Sequence, residues 1–361
     1  MKAMLLAAGL GERMFPLTLS RPKPVVPVLG RPIAVQLLHC LARHGVENAV
    51  LNLHHLPEVV QRIIGEGGSA GLPAISYTLE REILGTAGGI RNARELLRGE
   101  GPIVVCNSDF LSDIDLTAAL KAHEASGCQA TLVLAPTRKP YSVVAVNRDA
   151  RVISLAGKPS VDPEAVAGDY LFTGCQIINE NVIDRIPAVG PSDIVRDVYW
   201  EMAAEGTLGS YVHEGFWWEF GSPKLYLEGS MKLIDASVEV RRGVSEEQDS
   251  VRELDDGIAA VGPGVQFHDE ARLQGRAALG YSSYVSEEAC LEDSVIMPEA
   301  WIGPGCKVER SIIGVGVELP AGFKSKGELI CIDPGLGCDL PGFTRSVNGL
   351  LVSAFEDDAA A

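Results

Sequence analysis

Lys2-Ala3-Met4-Leu5-Leu6-Ala7-Ala8-Gly9-Leu10-Gly11-Glu12-Arg13 is an apolar run that stops at a glycine-rich turn. The stretch Met1–Gly9 has the length of a signal-peptide core. It passes straight into the turn, with no cleavage site and polar mature start, so it reads as a buried strand over Ala3–Ala8. Small residues and glycines at a strand's end let backbone N–H groups approach phosphate oxygens with no Cβ in the way. Gly9-x-Gly11 alone is ambiguous. A dinucleotide-binding turn needs a third glycine where Met14 stands, and a P-loop needs a Gly-Lys-Ser/Thr that is absent.

Outward from this turn, short apolar runs alternate with helical patterns as far as about residue 135. The strands expected are Ala49–Leu53, Ile75–Leu79, Ile103–Cys106 and Ala130–Leu134. Helices are expected around Ala34–Arg43, Pro57–Ile64, Ala87–Leu97 and Leu116–Ala125, with Asp115 a helix start and Gly127 a stop. This alternation predicts βαβ units, a Rossmann-like α/β domain with a mostly parallel sheet. Ligands then bind beyond the carboxyl ends of the strands, where Gly9–Arg13 and Asn107-Ser108-Asp109 both fall. Val143–Val146 and Val152–Leu155 flank Asn147-Arg148-Asp149-Ala150 as a hairpin. A helix near Ser192–Ala204, a strand at Ser210–His213, an aromatic cluster at Phe216–Phe220 and a helix around Lys224–Ile234 complete a first domain, 1–238.

Residues 239–258, rich in charge (Arg241, Arg242, Glu246, Glu247, Asp249, Glu253, Asp255, Asp256), read as a linker. Beyond them small or apolar residues recur every six positions at Val265, Ala271, Ala277, Ser283, Ala289 and Val295. A second row, two positions on, is apolar throughout: Phe267, Leu273, Leu279, Val285, Leu291, Met297. Hexapeptide repeats of this kind predict a short left-handed parallel β-helix over 259–325, with one short strand per face. The rows slip by one residue near Trp301–Ile302 and resume at Val308. Residues 326–361 read as a tail with mobile last residues.

The 361 residues suit two domains, and 46% apolar with 22% charged residues is a globular profile. No uninterrupted apolar run reaches the roughly 18 residues that a membrane-spanning helix needs. Eight scattered cysteines without C-x-x-C spacing suggest reduced thiols and a cytoplasmic setting. A net charge of −17 argues against nucleic acid or anionic membrane as partners. Yet Lys2, Arg13, Arg21, Lys23, Arg31 and Arg43 crowd the first 46 residues against few acids, as a small polyanion would require.

The longer pattern Gly9-x-Gly11-x-Arg13-x-x-Pro16-Leu17-Thr18…Pro22-Lys23-Pro24-x-x-Pro27-Val28 resembles the opening of the sugar-phosphate nucleotidyltransferases, the sugar-nucleotide pyrophosphorylases. The resemblance continues in order through Leu84-Gly85-Thr86-Ala87-Gly88, Asn107-Ser108-Asp109, Gly157-Lys158-Pro159 and Trp218-Glu219-Phe220-Gly221-Ser222-Pro223. It implies that a nucleoside triphosphate and a sugar 1-phosphate condense to a sugar nucleotide and pyrophosphate. Both reactants are anions, so catalysis rests on positioning and charge neutralisation.

By this resemblance Arg13 and Lys23 are the catalytic cations, Arg13 toward the departing pyrophosphate and Lys23 toward the α-phosphate. Ala7, Ala8, Gly9, Gly11, Gly85, Thr86 and Ala87 would hold the nucleotide. Lys158, Ser142 and Gly174 would hold the sugar phosphate. Asp109 and Glu219 would hold Mg²⁺, Glu219 standing where the family usually has Asp. Leu-Gly-Thr-Ala-Gly at 84–88 is similar to relatives that use GTP, which implies a GDP-sugar such as one made from mannose 1-phosphate. UTP or dTTP use stays open, as does a catalytically silent subunit that senses sugar nucleotides. Glu12, Ser108, Ser142, Gly157 and Glu219 depart from the family pattern. The β-helix implies contacts in a homo-oligomer rather than acyl transfer.

Other features carry less. His54-His55 would point apart on extended backbone and so suit a metal poorly. Asp115 reads as an N-cap. Trp217 and Trp218 read as packing, and Cys106 as a buried thiol with no His partner.

Overall fold

The computed structural model describes residues 1–69, 71–99, 101–244, 250–335 and 344–355. They form two compact units: Met1–Gly9 with Ala34–Trp217, and Leu10–Ile33 with Trp218–Ala361. The glycine turn is thus shared out, with Gly9 closing one segment of the first unit and Gly11 belonging to the second.

The first unit is a mixed, mostly parallel sheet. In chain order its strands are β1 (Lys2–Leu6), β2 (Asn48–Leu53), β3 (Ala74–Leu79), β4 (Ile103–Asn107), β5 (Ala130–Pro136), β6 (Val144–Val146), β7 (Val152–Leu155), β8 (Gly168–Ile178) and β9 (Leu208–Val212). The path across the sheet is β7-β6-β8-β4-β1-β2-β3, with β5 on β8 and β9 on β5. The pairs β1–β2, β1–β4 and β2–β3 are parallel, whereas β8 runs antiparallel to β4, β5 and β6. Strands inside such a sheet are buried on both faces, which is why Ala3-Met4-Leu5 and Ile103–Cys106 are unbroken apolar runs.

Helices cover the sheet at Ile33–Arg43, Pro57–Ile64, Gly85–Asn92, Arg94–Leu97 and Leu116–Ser126. The helix read over Ala87–Leu97 is therefore two, broken at Ala93, whose φ and ψ of −90° and 0° leave the helical well. Asp115 caps Leu116–Ser126 by accepting from Ala118 N–H, and Gly127 ends it in the left-handed conformation. Where a helix was expected from Ser192, the structure has a π-helical turn at Val195–Tyr199 before Trp200–Glu205.

The second unit contains the parallel coil. Successive strands stack in parallel along two faces, from Asp256–Val261 through Arg272–Leu279 and Cys290–Ile296 to Glu328–Ile332, and a third face stacks Gln266–Phe267, Tyr284–Val285, Trp301–Ile302 and Glu318–Leu319. The two periodic rows point inward: Ala271, Ala277, Ser283 and Ala289, and Leu273, Leu279, Val285 and Leu291, are all buried. The slip in period comes earlier than Trp301. Gln274 pairs with Glu292 but Ala277 pairs with Ser294, so one coil is a residue shorter, and Asp293 takes a positive φ at that corner.

Both ends of the coil are closed by antiparallel strands. Val251–Leu254 pairs with Asp256–Val261 at the start, and Thr344–Val347 and Leu350–Ala354 extend from Glu328–Ile332 at the finish. The segments expected to be a linker and a tail thus hold a helix, Val238–Val244, and these capping strands. An open-ended coil would leave a sheet edge and apolar interior in water, and the caps remove that edge. Glu246, Glu247, Asp249, Cys338 and the terminal Glu356–Ala361 lie outside the described residues. The helix Pro223–Asp235 packs on the coil, where Arg276 joins Asp235 (2.7 Å) to Asp293 (3.0 Å). Among the described residues no helix is long and apolar enough to cross a membrane.

Candidate active site

Four parallel strands of the first unit bring their carboxyl ends together. Leu6 is in register with Asn107 on one side and Asn52 on the other, so the turn after β1 lies between the ends of β4 and β2. Ser108, directly before Asp109, donates its hydroxyl to Leu6 O at 2.6 Å and ties the two ends together. Ala7 and Ala8 are buried while Gly9 is exposed, and a Cβ on Gly9 would meet nothing within 4 Å. The protein itself leaves that position clear, as a closely approaching ligand requires.

The segment after β3 is more occupied than its composition suggests. Gly85 has a φ of +74°, and a Cβ there would lie 2.5 Å from Ser192 O. That carbonyl accepts from Ala87 N–H at 3.0 Å and Gly88 N–H at 3.3 Å, so these helix-opening amides are already used. The Thr86 hydroxyl accepts from Ile194 N–H (2.8 Å) and lies 3.4 Å from Asp193 Oδ2. What Gly85–Ala87 offers a ligand is therefore a braced surface more than a set of free donors.

Of the residues expected at the sugar phosphate, Gly174 has a φ of +81° and a Cβ there would lie 2.7 Å from Asn107 Nδ2. It marks the bulge of β8 between Phe172 and Gln176, set against the strand that leads to Asp109. Lys158 closes a tight turn through Ala156 (φ 51°) and Gly157 (φ 77°), and its Nζ sits 5.2 Å from the centre of the Trp200 ring. A φ of +77° is one that glycine adopts without strain. Ser142 is exposed. Arg138 stacks on Trp217 (4.9 Å) and Tyr141 (5.3 Å), a cation–aromatic group that composition did not single out.

In the second unit, the segment Leu10–Ile33 is held by its own short turns and by Pro223–Asp235. Thr18 donates to Gly11 O at 2.9 Å, and the φ of Gly11 is +70° with Thr18 Cγ2 at 2.9 Å from a built Cβ. That Cβ would also stand 3.6 Å from Lys23 Cβ, which puts Lys23 next to the turn. Tyr226 donates to Pro27 O, and burial pushes its phenol far up from the usual range. Arg13 and Glu219, 206 positions apart, form an ion pair: Arg13 Nη2 to Glu219 Oε1 is 3.0 Å. Gly221 faces both groups.

The discounted features have structural duties. His54 Nδ1 meets Glu80 O at 2.8 Å, and Asp115 caps its helix. The Trp217 and Trp218 indoles are buried and donate to Thr173 O and Leu225 O. Cys106 is buried 3.4 Å from Cys175 Sγ, and that contact, followed by burial, pushes its thiol well up from the ordinary value. Both effects disfavour the thiolate that a nucleophile needs. The seven described cysteines are unbridged.

Reasoning from sequence passed over Asn52 and Glu80, both buried at the strand ends. The available signal was polarity out of place: an asparagine inside Ala49–Leu53, and a carboxylate directly after an apolar strand.

An open, mostly parallel α/β sheet whose first strand runs into a glycine turn is the architecture of a protein that handles phosphate groups. The family model for Nucleotidyl transferase matches residues 2–236, and that for GlmU-like, C-terminal hexapeptide matches 240–352. The chain belongs to the nucleotidyl transferase family and is an enzyme of it. It is 33% identical over 314 residues to mannose-1-phosphate guanylyltransferase of Mycobacterium tuberculosis, covering 85% of this chain and 83% of the relative. Mannose-1-phosphate guanylyltransferase 1 of Arabidopsis thaliana is 29% identical over 349 residues (91% and 95%). UTP–glucose-1-phosphate uridylyltransferase of Synechocystis is 29% identical over 343 residues (87% of each).

Proposed function

We propose that this sugar-1-phosphate nucleotidyltransferase joins GTP to mannose 1-phosphate and releases pyrophosphate. The observation that carries the proposal is the Arg13–Glu219 pair, which unites the cation assigned to pyrophosphate with a carboxylate assigned to the metal. The guanylyl relatives and Leu84-Gly85-Thr86-Ala87-Gly88 support the choice of base and sugar. The uridylyl relative, of similar identity and coverage, makes UTP with glucose 1-phosphate the second reading.

In the proposed reaction a phosphate oxygen of the sugar 1-phosphate attacks the α-phosphorus, and the bond to the β-phosphate breaks. Arg13 offers a planar fork of donors to the departing pyrophosphate, and Lys23 a mobile point charge near the α-phosphate. Lys158 holds the sugar phosphate, together with Ser142 and Gly174. Ala7, Ala8, Gly9, Gly11 and Gly85–Ala87 approach the nucleotide through backbone. Asp109 and Glu219 are hard oxygen donors suited to Mg²⁺, and Glu219 Oε2 is unengaged among the described residues. Bound there, the ion would neutralise charge on the phosphates. A homo-oligomer through the β-helix completes the proposal, with exposed Trp301 packed edge-on against Tyr284 at 6.0 Å as one apolar contact.

Pyrophosphate release by the purified chain, measured over GTP, UTP and dTTP with mannose and glucose 1-phosphates, tests the reading. Absence of turnover with GTP would refute the guanylyl assignment, and absence with every pair would favour a sensing subunit. Glu219→Ala should abolish turnover. Light scattering that finds only a monomer would remove the oligomer.

A further inference from the structure

A buried polar relay joins two segments that the sequence keeps far apart. Ala7 N–H donates to Asn52 Oδ1 at 2.9 Å, Asn52 Nδ2 donates to Glu80 Oε1 at 2.7 Å, and Leu84 N–H donates to Glu80 Oε2 at 2.9 Å. The two side chains are 2% and 5% exposed. The backbone amide of Ala7 can only donate, so it fixes which end of the Asn52 amide faces it. The other end must then donate, and both oxygens of Glu80 must accept. Every group in the relay has one role.

The surroundings hold the relay in place. Glu80 N–H donates to Leu53 O, and His54 Nδ1 meets Glu80 O at 2.8 Å. The helix Gly85–Asn92 closes over the pair at Gly89, where a Cβ would stand 2.6 Å from Asn52 Nδ2 and 3.0 Å from Glu80 Oε1. No cation pairs with the Glu80 carboxylate among the described residues. A buried carboxylate without a cation is costly, and one with all its neighbours matched is stiff. Its two ends are the backbone of Ala7, entering Ala7–Gly9, and of Leu84, entering Gly85–Ala87.

We infer that Asn52 and Glu80 are positioning residues for the nucleotide: they fix the separation of Ala7–Gly9 and Gly85–Ala87 without touching the substrate. This rests on the reading that those two segments hold the nucleotide. Loosening the relay therefore weakens nucleotide binding and leaves the sugar phosphate alone.

The relay's polarity supplies the test. Glu80→Gln turns one of two acceptors into a donor that faces a donor. Asn52→Asp sets two carboxylates against each other. The double variant Asn52→Asp/Glu80→Gln restores every bond with unchanged total charge: Asp accepts from Ala7 N–H and from the Gln amide, and the Gln oxygen accepts from Leu84 N–H. Steady-state kinetics on the full chain should show each single variant with a KM for the nucleoside triphosphate raised about tenfold, the loss of roughly one buried hydrogen bond. The double variant should return to within about threefold of wild type by the same measure. KM for the sugar 1-phosphate should move less than about twofold throughout, as binding away from the relay requires. Single variants with unaltered nucleotide KM, or a double variant as impaired as both singles together, would overturn the inference. If the exchange instead rescues KM for the sugar phosphate, the nucleotide role is overturned and the fault lies in the assignment of the segments. If Asn52→Asp does not fold, Glu80→Gln compared with the double variant decides the same question.

Discussion

Gly221→Ala is a small change aimed at the ion pair of the proposed site. A Cβ at position 221 would run into Glu219 Oε1, well inside contact distance, and would stand 3.0 Å from Arg13 Nη2. Real Cβ contacts do not fall below 3.0 Å, and the obstacle is the far end of a side chain rather than backbone. The carboxylate therefore retreats by on the order of 1 Å and the chain keeps its path. The φ of Gly221 is outside the left-handed region, so alanine brings no backbone strain. The Arg13 side chain is 60% exposed, which makes the lost ion pair worth about 0–1 kcal/mol. The stiffer unfolded chain returns about 0.4–1 kcal/mol. Stability should thus stay nearly level. Activity should not, because a misplacement of ~1 Å in a reacting assembly costs on the order of a hundredfold, about 2.7 kcal/mol in the barrier. The assay is pyrophosphate release at varied Mg²⁺ concentration, beside a thermal melt. A variant with wild-type kcat/KM and unchanged Mg²⁺ dependence would refute the role of Glu219. An equal fall in melting temperature and activity would refute the claim that the effect is local.

Three further outcomes are expected. Gly174→Ala forces a φ of +81° on a side chain that also meets Asn107 Nδ2 at 2.7 Å; it should lose about 1–3 kcal/mol in urea unfolding, and no loss would mean the bulge can relax. Ser311→Ala removes a buried hydroxyl that takes bonds from Ser325 Oγ (2.8 Å) and Glu328 N–H (3.3 Å) inside the coil, and should cost about 1–3 kcal/mol by the same measurement. Burial pushes the Tyr77 phenol up to about 12 from the usual 10, so the unfolded chain gives up this proton first. Its share of stability is complete below about pH 10 and is lost as pH rises toward 12, a slope that Tyr77→Phe should flatten in pH-dependent unfolding.

The α/β unit was legible because its strands are buried on both faces. Runs such as Ile103–Cys106 have no other use than a core strand, and Asp115 and Gly127 marked one helix at both ends. The coil was legible for a related reason: three short faces per turn demand an inward residue at a fixed spacing. Its ends were not, because a cap needs no period. Val251–Leu254 carries exposed Arg252 and Glu253 at its centre and looked like a solvated connector. The slip was placed at Trp301 because Val295 kept to the row by residue type, while backbone pairing had already shifted at Ser294. Within the proposed site, the family resemblance picked out Arg13 and Lys23 from a cluster of cations; charge and glycine spacing alone were ambiguous. They could not reveal that Thr86 and the amides of Ala87 and Gly88 are spent on residues 192–194, since that contact spans more than a hundred positions.

On the proposed reading, the Arg13–Glu219 pair gives two of the departures from the family pattern, Glu12 and Glu219, a common logic. The cation proposed for pyrophosphate and the carboxylate proposed for a metal carry opposite charge and lie 3.0 Å apart. On that reading each would be pre-placed without an isolated charge, and ligand binding would trade one exposed contact for two stronger ones. The trade is cheap because the contact is worth only about 0–1 kcal/mol at this exposure. The longer reach of Glu over Asp is what such an exchange uses: a flexible carboxylate can serve the arginine in one state and the cation in the other. Glu12 sits in the same turn and weakens its positive field, so the turn has little charge to spare. On the proposed reading, Glu219 would then limit how much of Arg13's charge is offered to the substrates.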